Sequence, residues 1–183
     1  RAEGLQLSVH FTASGFSLDA TINRVYWPGV AKPLRKIRIH CPRLIGQTDG
    51  EWRCAAARWS VEDSPLGPLN APMAIAYNPV RQQLRVNGSL ALVHPEVGVA
   101  WLGRDFTLAG KMDYNLTFDY AAPGRSWLTG QVTLADLNIG DSLGEIGCEN
   151  LTVVLHPEIT LAPESISIAG HLEIARGGVV YKV

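Results

Sequence analysis

The feature that most restricts the fold is a long, strict alternation of apolar and polar residues in the second half of the chain. From Phe106 to Tyr120 every second residue is apolar or glycine, and the residues between them are polar or small. Side chains of a β-strand point alternately to the two faces of a sheet, so this period of two predicts a strand with one apolar face. At about 3.3 Å per residue the run would reach roughly 50 Å, much longer than a common strand. We therefore expect an extended sheet wall, with a bend or bulge at Gly110.

A second feature is a repeated pattern in which a glycine is flanked by alternating apolar residues. Four glycines define it: Gly88, Gly110, Gly130 and Gly170. The period of about 20 residues accommodates two strands and two turns, which predicts a meander built hairpin by hairpin. We favour this arrangement over a Greek-key sandwich. Two near-identical His-Pro-Glu sequences, at residues 94–96 and 156–158, are then expected to be turns.

The composition agrees with an all-β chain. The sequence holds 18 Gly and 11 Pro, and no segment has the three-to-four spacing of apolar residues that a substantial helix requires. We predict an all-β fold with little or no helix, in which a mostly antiparallel meander forms a curved, partly closed sheet, here called a β-groove. A length of 183 residues suits a single domain over residues 1–183.

Charge and hydropathy exclude some partners. The 16 basic and 17 acidic side chains give a net charge of -1, whereas nucleic-acid binders are usually strongly basic. The longest apolar stretch, residues 97–102, is far shorter than the roughly 20 residues of a membrane helix. The first ten residues have neither a basic head nor an apolar run, so we expect any signal or anchor to lie outside this chain.

Two of the three cysteines flank a predicted turn. Cys41 and Cys54 stand on either side of residues 47–50, which would place them at facing or diagonal positions of a hairpin. We expect a disulfide; the alternative, a pair of metal ligands, would need further Cys or His at short spacing, and only His40 is near. Cys148 has no neighbouring base or cation that would make it a nucleophile, so we interpret it as a half-buried structural residue.

No arrangement of residues indicates catalysis or a resident metal. The five histidines are scattered, without a metalloprotease spacing or a recognisable Ser, His and Asp set. Asp113 and Asp119 share a strand face but lie about 20 Å apart, too far for a glycosidase pair within that strand. The His-Pro-Glu sequences could bring imidazole and carboxylate to a metal, but a repeated motif more often reflects duplicated structure. The sequence predicts no enzyme activity, no metal site and no cofactor.

Three parts of the chain carry a family resemblance. They are the hairpin from Cys41 to Cys54, the sequences AIAYNP and QLRVNG within residues 74–88, and the segments at residues 134–140 and 174–179. Together they resemble bacterial AsmA-like and TamB-like envelope proteins, particularly the YdbH type. The resemblance implies a repeating β-groove that conducts lipid, is anchored in the inner membrane and crosses the periplasm. Because this chain is much shorter than such a conduit, it implies a segment or a short relative of one.

The physical argument for a lipid-binding groove starts from the apolar face. A single sheet with one apolar face needs something to cover it, and an acyl chain of about 16 carbons would gain on the order of 12 kcal/mol from burial there before ordering costs. With the resemblance, this predicts a periplasmic segment of the Gram-negative cell envelope that carries phospholipid acyl chains between inner and outer membrane. The predicted lipid-binding residues lie on one face of the alternating run: Phe106, Leu108, Met112, Tyr114, Leu116 and Phe118.

Two alternatives stay open, and each has a structural signature. A noncatalytic assembly subunit of an envelope complex, similar to type II secretion protein N, would have a sealed core and an unpaired end strand. A β-sandwich carbohydrate-binding module would have an aromatic-lined polar cleft, and lipid transfer an open apolar trough.

Both ends of the chain predict exposed strand edges. Residues 5–11 alternate from the start, and the residues after Gly177 and Gly178 resemble the beginning of a fresh apolar strand. Exposed apolar edges tend to pair, so we expect strand-edge pairing with another protein or chain segment. The alternative is that the two glycines form a turn and the last five residues fold back onto the same sheet.

Overall fold

The computed structural model describes residues 2–12, 15–26, 33–64, 68–99, 104–121, 125–141, 146–162 and 165–181. Strand accounts for 91% of the described residues, and none of them is helical. The strands are β1 (Ala2–Thr12), β2 (Gly15–Val25), β3 (Leu34–Gly46), β4 (Trp52–Asp63), β5 (Leu69–Asn78), β6 (Gln83–Val99), β7 (Arg104–Ala121), β8 (Arg125–Asp141), β9 (Ile146–Ala162) and β10 (Ser165–Tyr181). They form one antiparallel sheet whose strand order is the chain order. The predicted all-β meander is confirmed.

The chain divides into two compact units. Unit 1 is Arg1–Val80 and contains β1 to β5; unit 2 is Arg81–Val183 and contains β6 to β10. We describe each unit by itself. The expected single β-groove domain over residues 1–183, and its curvature, concern how the units combine and stay predictions.

In unit 1, apolar residues of neighbouring strands stand opposite one another. One such row crosses the unit through Leu5, Ile22, Ile37, Val61 and Leu69. The alternation within each strand repeats the row two residues further on, so one face of the unit is apolar. Its buried members are Cys41, Cys54, Ala57, Val61, Ala71 and Met73. The core of unit 1 therefore lies on β3 to β5.

The predicted disulfide between Cys41 and Cys54 is present, with Cα atoms 6.1 Å apart. Its position in the hairpin differs from our expectation. The β3–β4 register is the same on both sides of the bridge and would place Ala57, not Cys54, opposite Cys41. The two cysteines are therefore neither facing nor diagonal partners.

The local cause is an interruption of the β3–β4 ladder. The ladder runs regularly up to His40 and resumes at Ile45. Pro42 lies in the interruption and has no N–H to donate to a neighbouring strand. The disulfide thus joins the strands where ladder hydrogen bonds are missing.

In unit 2, apolar residues of neighbouring strands also stand opposite one another, and the strands are longer. The register from β6 to β10 aligns three complete apolar rows: Leu84, Phe118, Leu128, Ile159 and Ile168; Gly88, Tyr114, Val132, Leu155 and Leu172; and Leu90, Met112, Leu134, Val153 and Ile174. We call the face that these rows share the unit 2 apolar face.

The repeat glycines serve close contacts between strands. Gly130 has a φ of +141°, and a Cβ atom there would lie 2.2 Å from the backbone oxygen of Asn115 on β7. Gly170 stands opposite Pro157, and a Cβ atom there would lie 2.7 Å from the backbone oxygen of His156. Neither position accepts a side chain without a backbone shift, so these two glycines mark tight strand pairing.

Two sequence predictions are wrong. The His-Pro-Glu sequences are not turns, since residues 94–96 lie in β6 and residues 156–158 lie in β9. Pro157 stands opposite Gly170 on β10, and on its other side the β8–β9 ladder passes from Glu158 to Leu155 without pairing it. Gly177 and Gly178 neither begin a fresh strand nor form a turn. They lie within β10 at register shifts, and β10 remains paired with β9 as far as Tyr181.

Candidate functional site

The candidate site is the unit 2 apolar face. Every described strand of unit 2 belongs to the same sheet, so no other described element of this unit forms a second layer over the face. A face of this kind on a folded protein normally marks a binding surface.

The predicted lipid-binding residues lie together on one strand of this face. β7 is the second of the five strands of unit 2, with β6 and β8 on either side. Five of the predicted side chains are half-buried on it: Leu108, Met112, Tyr114, Leu116 and Phe118. The backbone of Phe106 continues the same alternation, while its side chain lies outside the described residues.

Exposure rises sharply toward one end of the face. Val153 on β9 is only 9% exposed, whereas its direct partner Ile174 on β10 is 66% exposed. Ile168 and Leu172, also on β10, are 60% and 58% exposed. Each β10 side chain has neighbours on one strand only, because β10 is the end of the strand order. The apolar face is therefore sheltered around β6 and β9 and open along β10.

The opposite face of β7 is polar. Lys111 Nζ lies 2.9 Å from Asp113 Oδ2. This hydrogen bond, together with one from Ser89, holds the pKa of Asp113 below its ordinary value. Gln83 Nε2 donates to Asp119 Oδ1 at 2.8 Å. Asp113 is thus paired with a lysine and Asp119 with a neutral amide, and the two faces of β7 differ strongly in polarity.

Sequence reasoning assigned the apolar face to one strand and missed the contributions of its neighbours. In each row, apolar residues of β6, β8, β9 and β10 stand opposite one another in register with the apolar residue of β7. The glycine repeat contained the signal, since Leu90 follows Gly88 at the spacing at which Val132 follows Gly130. Aligning the repeats alone does not give the register, because the paired strands run in opposite directions.

The end strand of unit 1, β1, also has exposed apolar side chains along one face. Leu5, Leu7, Val9 and Phe11 alternate along β1, and Phe11 is 82% exposed. Phe11 packs edge-on against Phe16 with ring centroids 5.0 Å apart. The apolar alternation at the start of the chain therefore reaches the surface, as the sequence predicted.

Two findings on the described residues bear on the candidate site. No group of three or more His, Cys, Asp or Glu residues in this part of the chain is gathered as a metal site would require. None of the described residues forms a helix long and apolar enough to cross a membrane.

Comparison of the chain with protein-family models, curated proteins and solved structures finds no match. The resemblance to AsmA-like and TamB-like proteins stays a prediction, and function is argued from the apolar face.

Proposed function

We propose that the unit 2 apolar face binds the acyl chains of phospholipids and that this chain is a noncatalytic lipid-transfer segment. The observation that carries the proposal is the alignment of three apolar rows across five strands, with the β10 members more than half exposed. An extended apolar ligand matches such a face better than a compact polar one does. In this proposal the sheet curves into the expected β-groove around the ligand.

The energetics favour a sliding ligand over a trapped one. Each buried CH₂ contributes about 0.8 kcal/mol, so an acyl chain of about 16 carbons gains on the order of 12 kcal/mol before ordering costs. The rows repeat with similar apolar residues, so movement of the chain along the face changes the buried area little. The headgroup stays in water, and no specific polar contact is demanded of the protein. A surface of this kind binds lipid without a deep minimum, as transfer between membranes requires.

The proposed location is the periplasm, in a path between inner and outer membrane. The Cys41–Cys54 bond is compatible with an oxidising compartment, and the bacterial periplasm is one. The further assignment to a Gram-negative envelope rests on the resemblance of the sequence.

The proposal is tested by photocrosslinking from two positions on the apolar face of β7 and one on its other face. A photoreactive amino acid replaces Leu116 or Met112 on the apolar face, and in a matched control it replaces Asn115 on the other face. We expect crosslinks to phospholipid from Leu116 and Met112 in protein made in a bacterial periplasm, and none from Asn115. Equal lipid crosslinking from both faces would show nonspecific contact and would defeat the proposal.

A charge substitution provides a second test. Leu116→Arg places a guanidinium on the apolar face, whereas Asn115→Arg places it on the exposed polar face. We expect mass spectrometry to find co-purified phospholipid with the Asn115→Arg protein and to find several-fold less with Leu116→Arg, while circular dichroism shows the same strand content. The proposal would be contradicted if the Leu116→Arg protein retained as much lipid as the Asn115→Arg protein. Protein crosslinks in place of lipid crosslinks from Leu116 would favour the assembly-subunit alternative.

A further inference from the structure

A pair of histidines occupies the polar face of the β9–β10 hairpin. His156 and His171 are direct partners in the antiparallel register, and their ring centroids lie 6.3 Å apart with an interplanar angle of 30°. Both residues are exposed. The lipid-binding proposal uses the other face of these strands and assigns no role to this pair.

The separation of the rings matches that of two imidazoles on one metal ion. A Zn–N bond is about 2.0–2.1 Å, and a ring centroid lies about 1.1 Å behind its nitrogen, so two rings on one ion have centroids roughly 5 to 6.5 Å apart. The observed 6.3 Å lies within this range, at the end that corresponds to a wide N–metal–N angle. Because both side chains are exposed, small side-chain rotations also reach the narrower tetrahedral angle.

The backbone holds the pair in register. Gly170 stands opposite Pro157, the rung next to the histidines, and its backbone approaches β9 so closely that a Cβ atom would lie 2.7 Å from the His156 backbone oxygen. The ladder is unshifted on both sides of this point, from Ser165 to Ile174. The two imidazoles are therefore adjacent before any ion binds. Because no loop has to become ordered, the entropic cost of binding an ion is lower.

The neighbouring charges favour a cation. Glu158 follows His156 on the same face of β9, and Glu173 follows His171 on the same face of β10. Each glutamate is diagonal to the opposite histidine, a separation of about 7–8 Å between Cα atoms. On β8, Thr129 and Thr133 pair with Glu158 and Val154, and Gln131 lies between them on the same face; none of the three is charged. The carboxylates thus act through the electrostatic potential or through water, which agrees with the absence of a three-residue ligand group among the described residues.

We propose that His156 and His171 together bind one late first-row divalent cation, Zn²⁺, Ni²⁺ or Cu²⁺, with water completing its coordination. Imidazole nitrogen suits these ions, and their affinity for such ligands follows the order Ni²⁺ < Cu²⁺ > Zn²⁺. The other copy of the His-Pro-Glu sequence does not form this site, because the register places Leu108 opposite His94. The site therefore depends on His171 and not on the repeated motif alone. A bound ion would tie β10, the open end of the apolar face, to β9.

The test is calorimetric titration of the whole chain with ZnCl₂ and NiCl₂ at pH 7.5. We expect one ion per chain, and about tenfold or greater loss of affinity in either His156→Gln or His171→Gln. The matched control is His40→Gln, which removes an exposed histidine from unit 1 and should leave the affinity unchanged.

A second measurement separates this site from other ligands. Substoichiometric Cu²⁺ should broaden the amide NMR signals near residues 156 and 171 first, in the unsubstituted protein. The proposal is overturned if no ion binds, if both histidine variants bind as well as the parent, or if binding is lost in His40→Gln or Cys148→Ser instead. Circular dichroism of each variant establishes that the sheet is retained; if a variant does not fold, the broadening pattern decides.

Discussion

The two units build the same kind of apolar row in different ways. Strands of unit 1 are 10 to 13 residues long, and its ladder is interrupted beside a proline and joined by a disulfide. Strands of unit 2 are 17 or 18 residues long and no disulfide joins their described residues. In unit 2 the strands are held together by long hydrogen-bonded ladders and apolar pairs. In unit 1 a covalent bond provides part of this stabilisation. The difference teaches that a single layer can be held either by strand length or by a crosslink.

The largest expected effect comes from removing the crosslink of unit 1. In a Cys41→Ser, Cys54→Ser protein the unfolded chain regains the freedom of a loop of sequence separation 13, which costs about 3 kcal/mol of stability. Hydrogen exchange should show the loss in amides of β3 and β4 and leave those of β7 and β8 unchanged. Equal loss in both units would mean that they unfold as one and would break the comparison.

The next effect tests the tight strand pairing of unit 2. Gly130→Ala adds a Cβ atom at a φ of +141° and against the backbone of β7, and should cost about 2 kcal/mol in chemical unfolding. Gly140→Ala is the matched control in the same strand, because its new Cβ atom would meet only the Thr107 hydroxyl at 3.2 Å. If both substitutions cost the same, close backbone approach is not what the repeat glycine provides.

A smaller effect is expected at the open end of the apolar face. Leu172 is 58% exposed on β10, so Leu172→Gln should change the free energy of unfolding by no more than about 0.5 kcal/mol. The same substitution should nevertheless weaken lipid capture, because it interrupts an apolar row. A large loss of stability would show that this residue belongs to a covered core.

The smallest effect concerns a surface ion cluster of unit 1. Lys36 Nζ lies 2.6 Å from Glu62 Oε2, and Arg38 Nη2 lies 3.0 Å from Glu62 Oε1. The hydrogen bond from Lys36 is the main cause that holds the pKa of Glu62 below its ordinary 4.5. The pKa of Glu62 is lower in the folded state than in the unfolded state. The ionised carboxylate therefore stabilises the fold above its ordinary pKa, and this contribution is lost as the pH falls through the folded-state pKa.

An NMR titration checks this sign. Lys36→Met should raise the pKa of Glu62 toward 4.5, whereas Arg35→Met, which removes the ion pair with Asp63, should leave it in place. An unchanged Glu62 pKa in the Lys36→Met protein would assign the shift to another neighbour.

The fold could be predicted from the sequence where one strand carries its own signal. The alternation from Phe106 to Tyr120 predicted a strand, and β7 spans Arg104–Ala121. Alternation within a strand is set by that strand alone, so it needs no knowledge of partners. The same reasoning identified Leu5 and Phe11 as members of one apolar row on β1, and both are exposed there.

The features that depend on pairs of strands were harder to predict. The disulfide was correct, but the register around Cys41 was not, because the interruption near Pro42 is a property of two strands together. The His-Pro-Glu turn predicted at residues 156–158 was wrong: proline normally disrupts a ladder, but Pro157 faces Gly170 on β10 and lies where the β8–β9 ladder is interrupted. The same β9–β10 pairing placed His156 opposite His171, which the spacing of histidines along the chain did not indicate.

The aligned rows of unit 2 also restrict how its length can change in evolution. Because side chains alternate faces at every residue, inserting one residue within a strand would reverse the two faces from that point to the next hairpin. A bulge can absorb the extra residue, as the register shift between Ala109 and Lys111 does in the β7–β8 pairing. We therefore expect natural variants of this sequence to gain or lose residues in pairs within strands, at bulges, or in the connections between strands. Odd-numbered changes elsewhere would turn an apolar row toward water.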